Sequence, residues 1–130
     1  MADRFLRDFH AAPTDLVLIA RRADRLDELK RTLAGRRVSV RTVVADLGRP
    51  EDLQRLSAEL NTLAVELRLN NAGLAHSMPF AQLPVERARE LFDVNALAPV
   101  LLTGAVIPGM IARGSGAVIK LSPGRPSPPR

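Results

Sequence analysis

The sequence predicts an α/β fold built on a parallel sheet of about four strands with flanking helices. Two observations carry that prediction. Short apolar runs of strand length alternate with stretches in which leucine recurs every three or four residues. One of those runs, Leu16-Val17-Leu18-Ile19-Ala20, is apolar without alternation, the pattern of a strand covered on both faces.

The elements follow in order. Phe5, Leu6 and Phe9 among Arg and Asp predict an amphipathic helix over residues 1–12, stopped by Pro13 and Thr14. Leu16 to Ala20 form the first strand. Residues 21–33 are helical, with Leu26, Leu29 and Leu33 on one face and Gly35 as the stop. Val38, Val40, Val43 and Val44 make the second strand, which ends at Ala45-Asp46. Residues 50–63 form the next helix. Pro50 suits its first turn, and Glu51 and Asp52 complement its dipole. The third strand spans residues 65–69 and ends at Asn70-Asn71-Ala72-Gly73. Arg68 is out of place in it, because an unpaired charge inside a sheet is costly. Residues 84–113 are mostly helical, with a kink or break expected at Pro99 and another at Pro108. Residues 117–121 form a fourth strand. Residues 122–130 are Pro-rich and nearly without apolar side chains, so a disordered tail is expected there. The organisation expected is one domain over residues 1–121, then the tail.

Composition narrows the function. With 46% hydrophobic and 25% charged residues, the 130-residue chain reads as one soluble globular unit. Cysteine is absent, which removes disulfides and thiolate metal sites and is compatible with a cytoplasmic location. Two distant histidines make no metal cluster. The net charge of +5 comes mostly from scattered arginines, and with only 3% aromatics no nucleic-acid interface is expected. The longest uncharged run, residues 95–112, carries Asn95, Pro99, Thr103 and Pro108. It falls short of the roughly 20 mostly apolar residues a span needs, so no membrane segment is expected.

Asn70-Asn71-Ala72-Gly73 lies at the carboxyl end of a predicted parallel strand, where open α/β sheets bind ligands. Taken alone it also fits an ordinary strand-to-helix turn. Its surroundings are more specific. Leu16 to Leu26, Val44-Ala45-Asp46-Leu47, Asn70 to Gly73, Phe92-Asp93-Val94-Asn95 and Gly116 to Ser122 stand in the order of the short-chain dehydrogenase/reductase family. The chain resembles the central part of that family's domain. The resemblance implies a partial Rossmann-like, doubly wound sheet, an NADP(H) cofactor and a small-molecule alcohol or carbonyl substrate. It also implies a homo-oligomer formed through residues 84–113.

Residue by residue, the resemblance puts Arg21 and Arg22 at the adenosine ribose. A guanidinium there accommodates the 2′-phosphate of NADP; two solvated arginines are the plainer alternative. Asp46 matches the residue that contacts the adenine, with Leu47 beside it in the cofactor-binding set; Asp46 could equally cap the helix at Pro50. Asn71, Ala72 and Gly73 would lie along the nicotinamide side, with Asn70 before them in the cofactor-binding set. Asn95 matches the active-site Asn that supports a water in the proton relay; otherwise it is a polar interruption in a buried helix.

The departures from the family matter as much. Its first strand and Gly-rich turn, which hold the pyrophosphate, have no counterpart, since no Gly precedes Gly35. That strand is the central one, so its neighbours would be left with unpaired edges. The chain has no Tyr, the family's proton donor, and reaches Arg130 without the Lys that follows it. Ser122 matches the first of a frequent Ser pair, and Pro123 takes the catalytic slot. Lys120 lies on the strand and cannot serve as the missing Lys. His76, a loop residue without an evident partner, is more simply solvated than a proton donor. The ending Ser-Pro-Gly-Arg-Pro-Ser-Pro-Pro-Arg reads like a shifted frame. The chain is therefore expected to be a truncated, inactive piece of an NADP-preferring enzyme. The alternative is a non-catalytic nucleotide-binding or protein-interaction remnant of the fold.

Overall fold

The computed structural model describes residues 14–35 and 38–121. The expected helix over residues 1–12, the Pro-rich tail, Ser122 and Pro123 lie outside them. The chain divides into two compact units, residues 1–46 and 47–130.

In the first unit, β1 (Thr14–Ala20), α1 (Ala23–Leu33) and β2 (Val38–Val44) form a β-α-β unit. The strands pair in parallel, Leu16 opposite Val40 and Ala20 opposite Val44. Parallel neighbours need a crossover, and α1 supplies it. Leu26 and Leu33 are its buried residues. The helix ends at Ala34, and Gly35 follows with φ +84°, a left-handed value that suits Gly, as the sequence predicts. β1 differs from expectation. Val17 is exposed and the rest of its apolar run is half-buried. Among the described residues of this unit one helix packs on the two strands, and they do not seal the run on both faces.

In the second unit, α2 (Pro50–Asn61) starts with Pro50 in its first turn and buries Leu53, Leu56 and Leu60. β3 (Leu67–Asn70) follows, two residues later than expected at its start and one later at its end. A 3₁₀ turn at Phe80–Gln82 leads to α3 (Val85–Phe92), a π-helical turn (Asp93–Leu97) and α4 (Ala98–Arg113). β4 (Ala117–Lys120) then pairs with β3 in parallel. The core is the seam between α2 and α4, where Ala98, Leu102, Val106 and Met110 recur every fourth residue. Leu56 and Leu102 are its most enclosed large side chains. Arg113 Nη2 donates to the Val65 carbonyl at 2.6 Å and ties the end of α4 to the approach to β3.

Pro99 and Pro108 do not break this helix, which removes one of the two outcomes, kink or break, that the sequence reading allows. The run Val85–Arg113 is one continuous 29-residue helix. Pro99 sits in the first turn of α4, directly after the π turn, where the hydrogen-bond register is already shifted. Pro108 lies inside α4, four residues after Gly104, around which a side chain would meet nothing within 4 Å. By length and composition this helix would be apolar enough to cross a membrane.

The four strands form two separate two-stranded sheets, β1 with β2 and β3 with β4. Among the described residues no strand pairs with both β1 and β3. The fold is thus a partial α/β Rossmann-like arrangement of parallel strands and flanking helices, as the sequence predicts.

Candidate functional site

Each parallel pair delivers its candidate residues at its carboxyl end. In the first unit, Ala20 and Val44 are in register, and the Ala45 N–H donates to the Ala20 carbonyl at 3.0 Å. Arg21 and Arg22 therefore leave β1 where Ala45 and Asp46 leave β2. Both arginines are exposed, Ala45 is buried and Asp46 is half-buried. Asp46 does not cap α2: the capping position belongs to Arg49, whose side chain makes no cap hydrogen bond. Leu47, the first residue of the second unit, is half-buried.

The second unit assembles a polar network around the end of β3. Asn70 is its buried member, 8% exposed. Asn70 Nδ2 donates to Thr103 Oγ1 on α4 at 3.2 Å, and its Oδ1 accepts from Arg68 Nε at 3.1 Å. Alternation along the strand puts residues 68 and 70 on one face, so the two side chains meet. Arg68, awkward in sequence, is thus half-buried and held by Asn70. Burial pushes its guanidinium pKa down from the ordinary value. The Asn70 amide is committed to this internal network, and the exposed residues after it are Asn71, Ala72 and Gly73.

Asn95 fixes the loop that follows. Its Oδ1 accepts from the Leu74 N–H and its Nδ2 donates to the Leu74 carbonyl, both at 2.8 Å. One amide thus satisfies both backbone groups of one loop residue, as a neighbouring strand would. The π turn carries Asn95: the Ala98 N–H donates to the Asp93 carbonyl, five residues back. Such single turns inside α-helices recur at functional sites.

Two participants escaped the sequence reading. Thr103 carried no local signal, being one hydroxyl in an apolar helix. Lys120 was set aside as a strand residue, yet its Nζ donates to the Asn95 carbonyl at 2.8 Å. The parallel register, Asn70 opposite Lys120, was the signal that could have found it. His76 Nε2 is buried without a hydrogen-bond partner among the described residues. No group of three metal-ligating side chains occurs among them either.

Strand-end residues on parallel strands, with an amide-clamped Asn-Asn-Ala-Gly loop, define a recognisable arrangement. The sequence profile described as short chain dehydrogenase matches residues 2–124. The chain belongs to the short-chain dehydrogenase family. Among curated members, it is 32% identical over 120 residues to the mouse (Mus musculus) dehydrogenase/reductase SDR family member 7B, covering 88% of this chain and 37% of that protein. It is 29% identical over 115 residues to a very-long-chain 3-oxoacyl-CoA reductase of Pyrenophora tritici-repentis, covering 83% of this chain and 34% of that protein. The chain therefore spans little more than a third of the length of these relatives. Among solved structures, a short-chain dehydrogenase from Sphingobium yanoikuyae in complex with NADPH superposes with a TM-score of 0.80 at 38% identity, over 92% of this chain and 46% of that one. The bulky-bulky ketone specific alcohol dehydrogenase from Comamonas testosteroni gives the same TM-score at 30% identity, over 92% of this chain and 47% of that one. As in the sequence reading, the family is that of NAD(P)(H)-dependent oxidoreductases.

Proposed function

We propose that this chain is the cofactor-side portion of an NADP-preferring oxidoreductase, one that moves hydride between a nicotinamide and a small-molecule alcohol or carbonyl. The observation that carries the reading is the double hydrogen bond from Asn95 to Leu74, which fixes the exposed Asn71–Gly73 loop at a strand end. Arg21 and Arg22 support NADP over NAD, because guanidinium groups pair with the 2′-phosphate in bidentate fashion. Asp46 and Leu47 would meet the adenine, and Asn71, Ala72 and Gly73 the nicotinamide side. Residues matching those at the adenine and at the nicotinamide in the family are present in the sequence, whereas no Gly precedes Gly35, so these residues supply no Gly-rich turn for the pyrophosphate. The bound cofactor supplies the hydride. Catalysis in this family also uses a Tyr as proton donor, and these 130 residues contain none. The chain by itself is therefore read as inactive and as a piece of a longer enzyme.

The test is a thermal unfolding curve of the purified chain with NADPH and with NADH. A ligand that binds only the native state raises the midpoint. The reading expects a larger rise with NADPH than with NADH, and loss of that difference in Arg21→Glu/Arg22→Glu. No rise with either nucleotide would end the proposal that this chain binds the cofactor. Steady NADPH oxidation with a carbonyl substrate would overturn its inactivity.

The α4 surface favours a second component of the reading. Val100, Leu101, Ile107 and Ile111 face outward, with Val100 68% and Ile111 74% exposed. Apolar side chains grouped on one helix mark a contact surface. We read the helix as a sheet-flanking element of a cytoplasmic homo-oligomer and not as a membrane span. Its Leu102 stripe against α2 supports that assignment. A defined oligomer in detergent-free size-exclusion chromatography is expected; recovery only in detergent would reverse it.

A further inference from the structure

Asn95 lies in the π turn that closes with the Ala98 N–H on the Asp93 carbonyl, and where α register resumes after that bond the carbonyl of residue 95 accepts from the N–H of residue 99. Residue 99 is Pro and has no N–H to give. The Lys120 ammonium supplies a hydrogen at 2.8 Å, reaching from β4 to the π turn that precedes α4. The same residue, Asn95, carries the amide that holds Leu74. A backbone carbonyl and a side chain of one residue are thus fixed from two sides, by a strand lysine and by a loop. We propose that Lys120 is a positioning residue: it replaces the N–H that Pro99 lacks, stabilises the Asp93–Leu97 turn, and so aims the Asn95 amide at Leu74. That Leu74 anchors a cofactor loop rests on the function proposed above; the positioning itself does not.

The experiment is residue-resolved amide hydrogen exchange on the whole chain, without nucleotide, in wild type, Lys120→Met, Lys120→Arg and the double variant Pro99→Ala/Lys120→Met. The Leu74 amide should exchange about fivefold faster in Lys120→Met, the size expected for losing one net hydrogen bond. The amides of Leu102 and Val106 in the seam of α4 should keep their rates. Lys120→Arg should retain Leu74 protection, because a guanidinium can make the same donation. Pro99→Ala should restore it in the Lys120→Met background, because alanine brings a backbone N–H back to that position of the helix. Unchanged Leu74 exchange in Lys120→Met would mean that water serves the Asn95 carbonyl equally well, and would overturn the proposal. Should Lys120→Met loosen the entire unit, the double variant decides: recovery supports the role, and no recovery refutes it. A parallel NADPH thermal shift separates the two readings. No shift in wild type sinks the cofactor reading and leaves the exchange result standing. A wild-type shift that disappears in Lys120→Met and survives in Lys120→Arg carries the positioning through to the cofactor, whereas a shift undiminished in Lys120→Met removes that link.

Discussion

Asn95 shows how much one side chain can fix. Its amide has one acceptor and donors on opposite sides, which matches the carbonyl and N–H of a single extended residue. Asn95→Asp keeps the acceptor for the Leu74 N–H but cannot donate to the Leu74 carbonyl. We expect it to cost about 1–2 kcal/mol, the order for one polar group losing its partner, read from the midpoint of urea unfolding. Gly116 is constrained by contact. A methyl group there would fall 2.7 Å from Met110 Cβ, and this atom next to the backbone of α4 cannot swing away as a side-chain tip could. Gly116→Ala should therefore destabilise the second unit by about 1–3 kcal/mol, measured in the same way. Neither effect shows in the string of letters alone. The sequence marks Asn95 as an oddity in an apolar helix, and marks Gly116 only as a lead-in to a strand. What each touches depends on which strands and helices become neighbours.

At the scale of elements, periodicity was enough to find every described strand and helix. It located the Pro50 start of α2 to the residue and the β4 end within one. At the long helix it left a kink or a break open at each proline, because each was weighed by itself. Pro99 is tolerated where the π turn has already displaced the hydrogen-bond ladder and where a lysine from β4 supplies a donor. Neither circumstance is local in sequence. Pro108 has no such compensation in view. It sits inside α4, on its exposed side, and deprives the Gly104 carbonyl of its helical partner. Pro108→Ala should therefore stabilise the helix by about 1–3 kcal/mol. A raised thermal midpoint, with α4 amides exchanging more slowly, is the expected record; a lowered midpoint would show that the proline ring packs against something essential.

At the scale of the molecule, stability should be uneven. The described core of the first unit consists of Leu26, Leu33, Val43 and Ala45, whereas the second buries Leu53, Leu56, Leu60, Val94, Ala98, Leu102, Val106 and Met110. Among the described residues the first unit therefore removes less apolar surface from water than the second. The amides of β1 and β2 should accordingly exchange before those of α2 and α4 do, and limited proteolysis should cut within residues 38–46 first. Equal protection across both units would show that they melt as one. That the strands pair in parallel was legible in outline, from their alternation with helical stretches. One further consequence concerns residue count. The five residues Asp93–Leu97 hold one more residue than an α-helical path would need. Removing any one of them would let the helix close in regular α register with α3 and α4 keeping nearly their present faces, and the change of direction would fall on the residues left in the turn, Asn95 among them. Side chains sufficient to bind Leu74 could still be present, but they would point the wrong way.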